Sequence, residues 1–83
     1  MKVNLKYFAS IREAIGQGSE SVHTQATTLD ALRDELIARG GAYAEALARG
    51  RAVRTAVNQD LCDGAMALSD GAEVAFFPPV TGG

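Results

Sequence analysis

The segment TLDALRDELIARGG, residues 28–41, gives the clearest indication of the fold class. Its apolar residues recur at the spacing of one helical face, at Leu29, Leu32, Leu36 and Ile37. Thr28 is a suitable N-cap, and Gly40 and Gly41 are suitable residues to end the helix. Glu35 and Arg39 have the i, i+4 spacing of an ion pair. The segment therefore predicts one amphipathic helix with a single buried face.

The chain before this helix has the pattern of a strand hairpin. Residues 2–8 alternate, with Val3, Leu5 and Tyr7 on one face and Phe8 on the other. Ser10 is the expected cap of a short helical turn that ends at Gly16. Residues 20–24 then form a second strand, and strands joined this closely favour a hairpin.

The chain after the helix alternates between short elements. We expect a turn of helix over residues 42–49, a strand over 53–58, a weaker strand over 61–68 and a last strand over 73–77. Residues 69–71, Ser-Asp-Gly, form the turn before that last strand. The order predicts an α+β domain in which a mixed sheet buries one face against Leu29, Leu32 and Leu36.

Composition excludes several classes of protein. Eighty-three residues make one domain with little material for an enclosed active site. A net charge of −2 gives no broad attraction to nucleic acid or anionic membrane, and the arginines at 49, 51 and 54 are interpreted as a solvated loop. No apolar run approaches the roughly twenty residues of a membrane span, and the N-terminus begins with a strand pattern and not with a signal peptide. We therefore expect a cytoplasmic protein. The single cysteine, Cys62, excludes an internal disulfide and fits a reducing compartment.

The residues that commonly carry catalysis do not form a convincing set. His23 is interpreted as an ordinary strand residue and Cys62 as a small hydrophobe. Asp60 and Asp63 lack the other ligands of a calcium loop, and turn formation explains them. No phosphate-binding loop or dinucleotide fingerprint is present. We therefore expect a chain that is not an enzyme on its own and that binds neither a metal nor a stable cofactor.

The C-terminus offers a different kind of reactive group. Pro78 and Pro79 end the last strand and stiffen the chain that follows. Gly82 and Gly83 have no side chain, so they can enter a channel too narrow for other residues and present the Gly83 carboxylate there. The alternative is a frayed terminus without function. On the glycine pair alone that alternative stays ahead.

Residues 77–83, Phe-Pro-Pro-Val-Thr-Gly-Gly, resemble the tail of the ubiquitin-like sulfur-carrier family that includes the small subunit of molybdopterin synthase. Further similar segments span nearly the whole chain, at residues 3–8, 11–13, 29–32, 57–59 and 70–76. The resemblance implies a β-grasp fold, with residues 1–83 as one domain and residues 78–83 as a flexible projecting tail.

The resemblance also implies a chemistry for the tail. A ubiquitin-activating-like adenylyltransferase would use ATP to adenylate Gly83, and sulfur from a donor protein would then replace AMP to give a thiocarboxylate. The large subunit of molybdopterin synthase would receive the tail and bind the acceptor, cyclic pyranopterin monophosphate, in a heterotetramer of two small and two large subunits. The residues that these partners recognise would be Pro78, Pro79, Val80, Thr81 and Gly82.

Three apolar residues are candidates for contact with the large subunit. The family's pattern places that contact at Phe8, Leu61 and Phe77, and the alternative is that all three belong to the core. Phe76 and Phe77 are adjacent on one strand, so their side chains point to opposite faces. We expect Phe76 to fill the core and Phe77 to meet the partner.

Two other functions stay open on the sequence. The chain could carry sulfur for thiazole synthesis or another pathway, or be a protein modifier joined to lysines. From a different class, it could be an interaction module whose tail is inert. The partner that it binds and the mass of the intact protein distinguish these functions.

Overall fold

The structure is a computed structural model that describes residues 1–79. Its elements in chain order are β1 (Lys2–Tyr7), α1 (Ala9–Ile15), β2 (Ser19–His23), α2 (Leu29–Ile37), α3 (Gly41–Ala46), β3 (Arg54–Val57), β4 (Asp60–Cys62) and β5 (Glu73–Phe77). Among these residues, no helix is long and apolar enough to cross a membrane.

The five strands form one mixed sheet in the order β2-β1-β5-β3-β4. The two central strands, β1 and β5, run parallel, and the other neighbouring pairs are antiparallel. The predicted hairpin of β1 and β2 is present, with Val3 opposite Val22. One sheet face packs on the helices. The arrangement confirms the predicted α+β class and the β-grasp fold.

The core lies between the sheet and α2. Its most buried strand residues come from the two central strands and are Val3, Leu5, Tyr7, Val74 and Phe76. Leu29, Leu32 and Leu36 meet them from α2, as their spacing predicts. The Thr28 hydroxyl accepts a hydrogen bond from the Ala31 amide, so the predicted N-cap is also confirmed.

Two predictions about side-chain contacts are wrong. Ser10 does not cap α1, because Ala9 already belongs to the helix and Phe8 occupies the N-cap position without a side-chain bond. Glu35 does not pair with Arg39, since Glu35 accepts a hydrogen bond from the Thr24 hydroxyl and Arg39 reaches across to Glu20 instead. Contacts with the neighbouring strand therefore replace the expected contact within the helix.

The strand predicted over residues 61–68 is also shorter than expected. It ends at Cys62, and the chain then passes the start of α2, where the only pairing is an isolated bridge between Thr28 and Ala67. The carbonyls of Met66 and Gly64 accept hydrogen bonds from the Leu29 and Asp30 amides. The first amides of a helix have no partner within it, so this segment satisfies them instead of extending the sheet.

Candidate functional site

The last strand presents one phenylalanine to each face of the sheet. Phe76 is fully buried and stacks on Tyr7, with ring centroids 6.1 Å apart. Phe77, the next residue, is half-buried on the opposite face of the sheet. The expected assignment of the two rings to core and outer face is confirmed. The role of Phe77 in partner binding stays a prediction.

The half-buried ring of Phe77 contacts the exposed ring of Phe8 on the outer face. The rings of Phe8 and Phe77 pack edge to face, with centroids 6.5 Å apart. The Phe8 side chain nevertheless remains 46% exposed. A large aromatic ring held in place yet open to water is typical of a surface that a partner covers.

Small residues form the floor beside these rings. Ala56 of β3 pairs with Ala75 of β5 on one side and with Leu61 of β4 on the other. Leu61 is 65% exposed, the largest exposure among the large apolar side chains of residues 1–79. Because methyl groups fill little space between Phe77 and Leu61, the outer face is concave there.

The result is an open groove of about 600 Å³, which we call the outer groove. Its lining is Lys6, Phe8, Ala9, Ala56, Gln59, Leu61, Glu73, Ala75, Phe77, Pro78 and Pro79. The structure therefore brings together the three predicted contact residues, Phe8, Leu61 and Phe77, and adds the first two residues of the predicted tail. The other predicted tail residues, Val80, Thr81, Gly82 and Gly83, lie outside the described residues.

The outer groove also includes residues that were not predicted from the sequence to contact a partner. Ala75 lies two positions before Phe77, so strand alternation could have found it. Ala56 had no such signal, because its place depends on pairing between β3 and β5. Lys6 and Glu73 form an ion pair with 3.2 Å between Nζ and Oε1, and Gln59 lies in the β3–β4 turn.

A second polar cluster lies on the helical side of the sheet, around the Glu20 carboxylate. The hydroxyls of Tyr7 and Tyr43 donate to Oε2 at 2.9 and 2.6 Å, and Arg39 donates to Oε1 at 3.0 Å. Burial alone would raise the pKa of Glu20, but these hydrogen bonds outweigh it and hold the pKa below its ordinary value. The cluster connects β1, β2, α2 and α3, so its role is structural.

The residues considered for catalysis are far apart. His23 is exposed on β2 and Cys62 is half-buried on β4, at the two opposite edges of the sheet. Four strand spacings separate those edges, roughly 19 Å. The two side chains therefore cannot act as a nucleophile and its base. The Asp63 carboxylate accepts a hydrogen bond from the Ala65 amide, as its turn role predicts.

The three arginines interpreted as a solvated loop have separate positions. Arg49 binds the carboxylates of Asp30 and Asp34 on α2. Arg51 donates to the main-chain oxygen of Glu45, and Arg54 lies in β3 opposite Phe77. All three side chains are exposed, and Arg49 and Arg51 lie in the loop between α3 and β3, so the interpretation holds for these two and fails only for Arg54, which begins β3. These residues form no continuous basic surface.

Residues 5–83 match the ThiS family. A curated relative from Escherichia coli (strain K12), the molybdopterin synthase sulfur carrier subunit, is 42% identical over 81 residues, which cover 98% of this chain and 99% of the relative.

Solved structures are similar over most of the chain. A putative molybdopterin converting factor, subunit 1, from Pyrococcus furiosus is 27% identical, with a TM-score of 0.79 and coverage of 96% of this chain and 99% of that chain. A complex of subunits 1 and 2 of the molybdopterin-converting factor from Helicobacter pylori contains a chain that is 27% identical, with a TM-score of 0.70 and full coverage of both chains.

Proposed function

This chain belongs to the ThiS family, and we propose that it is the sulfur carrier that supplies molybdopterin synthase. The observation that carries the proposal is the position of the outer groove at the end of β5, where the chain continues through Pro78 and Pro79 toward its terminal glycines. The full-length similarity to sulfur-carrier subunits supports it.

The chemical step begins at the Gly83 carboxylate. A terminal carboxyl group with a pKa of about 3.5 is ionised at neutral pH and is a poor electrophile. An activating enzyme must therefore transfer AMP from ATP to one carboxylate oxygen, with release of pyrophosphate. Sulfur at the oxidation level of sulfide, supplied by the donor, then attacks the carbonyl carbon and AMP leaves, so that the chain ends in a thiocarboxylate without a redox step.

The thiocarboxylate sulfur is the atom that the chain delivers. Its negative charge and polarisability make it a nucleophile toward a carbon centre of cyclic pyranopterin monophosphate. The new carbon–sulfur bond forms as an oxygen substituent of that carbon leaves. Water then hydrolyses the acyl–sulfur bond, which leaves the sulfur on the acceptor and restores the Gly83 carboxylate. Two such transfers supply the two dithiolene sulfurs. The synthase large subunit would hold the acceptor, and this chain would provide no catalytic side chain.

The folded domain would bind and orient the tail donor. Phe8, Leu61 and Phe77 would dock on the large subunit through the outer groove, which excludes water from the apolar contact. Pro78 and Pro79 restrict the direction in which the chain leaves that contact. A docked domain and a stiff exit would together present the terminus to the acceptor at high local concentration.

The partner assignment rests on a related complex. The Helicobacter pylori structure holds subunits 1 and 2 of the molybdopterin-converting factor together. We propose the corresponding large subunit as the partner of this chain, in a heterotetramer of two small and two large subunits. A ubiquitin-activating-like adenylyltransferase and a sulfur donor protein complete the proposed set.

The experiment is a reconstitution followed by intact-mass measurement. The purified chain is incubated with ATP, the activating enzyme and a sulfur source, and exchange of one oxygen for sulfur should add about 16 Da. Addition of the large subunit and cyclic pyranopterin monophosphate should then return the original mass and form molybdopterin. A chain that gains sulfur but gives it only to a thiazole pathway, or forms bonds to lysines, would support the alternatives. A chain that gains no sulfur would contradict any carrier role.

A further inference from the structure

The turn between β3 and β4 has an unusual backbone. Val57 pairs with Asp60, so the two residues between them, Asn58 and Gln59, form a two-residue hairpin loop. Both have positive φ angles, 51° at Asn58 and 72° at Gln59. Such loops favour asparagine at the first position and glycine at the second, because a side chain is disfavoured there. A glutamine at the second position therefore needs an explanation.

The two residues differ in what their side chains do. The side-chain oxygen of Asn58 accepts a hydrogen bond from the main-chain N–H of Glu73 at 3.0 Å. The main-chain N–H of Asn58 donates to the main-chain carbonyl of Glu73 at 2.8 Å. Asn58 thus fastens the turn to β5. The Gln59 side chain is exposed and makes no hydrogen bond to any of residues 1–79. No side-chain hydrogen bond within residues 1–79 therefore offsets the strain of its positive φ angle.

Gln59 nevertheless lines the outer groove. The other polar side chains of that lining, Lys6 and Glu73, pair with each other at 3.2 Å. Pro78 and Pro79 have no amide hydrogen to donate. Within the described lining, Gln59 is therefore the polar side chain that remains free for a bound partner.

A partner that covers an apolar groove needs such a group. Main-chain N–H and C=O groups that lose water on binding must find new hydrogen bonds, or binding is weakened. A carboxamide carries both a donor and an acceptor, so it can bond to both groups of a peptide chain. Gln59 lines the outer groove together with the exposed Leu61.

We propose that Gln59 strengthens binding of the large subunit that covers the outer groove, through hydrogen bonds from its carboxamide to a main-chain peptide group of that subunit. The proposal rests on the proposed function, since it assumes that the large subunit is the partner. It explains why the turn has glutamine where the backbone favours glycine.

The test separates the carboxamide from the backbone strain with two variants. Gln59→Ala removes the carboxamide and keeps a side chain at positive φ, whereas Gln59→Gly removes both. Titration calorimetry against the purified large subunit should show both variants binding roughly three- to tenfold more weakly than the original chain. Gln59→Gly should melt about 4 °C above Gln59→Ala, because glycine adopts this φ freely.

Gln25 provides the matched control. It is also an exposed glutamine, but it follows β2 at the opposite edge of the sheet and does not line the outer groove. Gln25→Ala removes the same carboxamide outside the groove, so this variant should bind the large subunit within about twofold of the original chain.

The outcomes separate this proposal from the proposed function. Binding of Gln59→Ala at the original affinity would overturn the role of the carboxamide. A loss confined to Gln59→Gly would overturn it too, since the effect would then follow the backbone. If the original chain itself failed to bind the large subunit, the proposed function would fail first.

Discussion

Phe8 and Phe77 pack edge to face across the parallel strands β1 and β5, with Phe77 as the last residue of β5 and Phe8 as the residue that follows β1. Their neighbours Tyr7 and Phe76 are paired in register and point into the core. One step along each strand then brings both phenylalanines to the outer face. The exposed ring pair therefore lies at the end of the sheet from which the tail begins.

The first prediction compares the two phenylalanines of β5. Phe76→Ala should destabilise the free protein by about 3 to 5 kcal/mol, because it leaves a cavity beside Tyr7. Phe77→Ala should leave the domain folded, since its ring borders the open groove, and should weaken binding to the large subunit by about 2 kcal/mol if it is a central anchor. Calorimetry of each variant and titration against the large subunit measure both effects.

The two variants are controls for each other. Each removes one phenyl ring from adjacent positions of the same strand. An unfolded Phe77→Ala together with a well-folded Phe76→Ala would show that the assignment of the two faces is wrong. Equal losses of stability would contradict the distinction between core and interface.

The second prediction concerns Gly83. Deletion of this residue, or addition of one residue after it, should abolish sulfur loading or transfer and leave the melting temperature unchanged. The change moves the reactive carboxylate but alters no core residue. Intact mass after the activation reaction is the measurement for loading. Full molybdopterin formation by either variant would refute the role of the terminal carboxylate.

The third prediction concerns Gly82 and tests whether the tail enters a narrow channel in the partner proteins. Gly82→Val adds a β-branched side chain, which widens the tail and restricts its backbone. Activation and sulfur transfer should slow by at least tenfold, about 1.4 kcal/mol, with a change in melting temperature of less than about 2 °C. A parallel loss of stability and activity would instead mean that Gly82 has a structural role.

The fourth prediction concerns pH and the Glu20 cluster. Hydrogen bonds from Tyr43, Arg39 and Tyr7 lower the pKa of Glu20 in the folded state against the opposing effect of burial. As the pH falls, the Glu20 carboxylate is therefore protonated in the unfolded chain before it is protonated in the folded one. The stabilisation is complete above the unfolded pKa, about 4.3, and is lost as pH falls through the folded pKa.

Glu20→Gln isolates this effect. At pH 7 the variant should be less stable by about 1 to 3 kcal/mol, because an amide accepts weaker hydrogen bonds and leaves Arg39 without its ion pair. The difference from the original chain should shrink as the pH is lowered below about 4, where the original carboxylate is also neutralised. Urea unfolding at several pH values measures it. A constant difference across that range would exclude the proton linkage.

Much of the fold followed from local patterns. The spacing of Leu29, Leu32 and Leu36 identified α2, and alternation identified β1 and β5. The predicted pair of Glu35 and Arg39 was wrong because Arg39 binds Glu20 of β2 and Glu35 binds Thr24, which follows β2. Surface ion pairs within a helix contribute little, so better-placed partners replace them.

The candidate site was predictable in its residues but not in its shape. The sequence indicated Phe8, Leu61 and Phe77 through the resemblance of the chain to a family. Gln59 lies in one of the segments that are similar to the family, residues 57–59, but nothing in the sequence selected it as a contact residue, because an uncharged turn residue carries no pattern of its own. Its free carboxamide becomes evident only when the φ angle of the turn and the pairing of Lys6 with Glu73 are known.

The sequence by itself determined the α+β class and the buried faces of α2 and β1, because these depend on residues close together in the chain. Only the tertiary structure decided that β1 and β5 lie side by side, and thereby that Phe8 meets Phe77 beside the Ala56–Ala75 pair. Strand pairing joins residues far apart in sequence, and its register depends on the whole core. The outer groove is a consequence of that register.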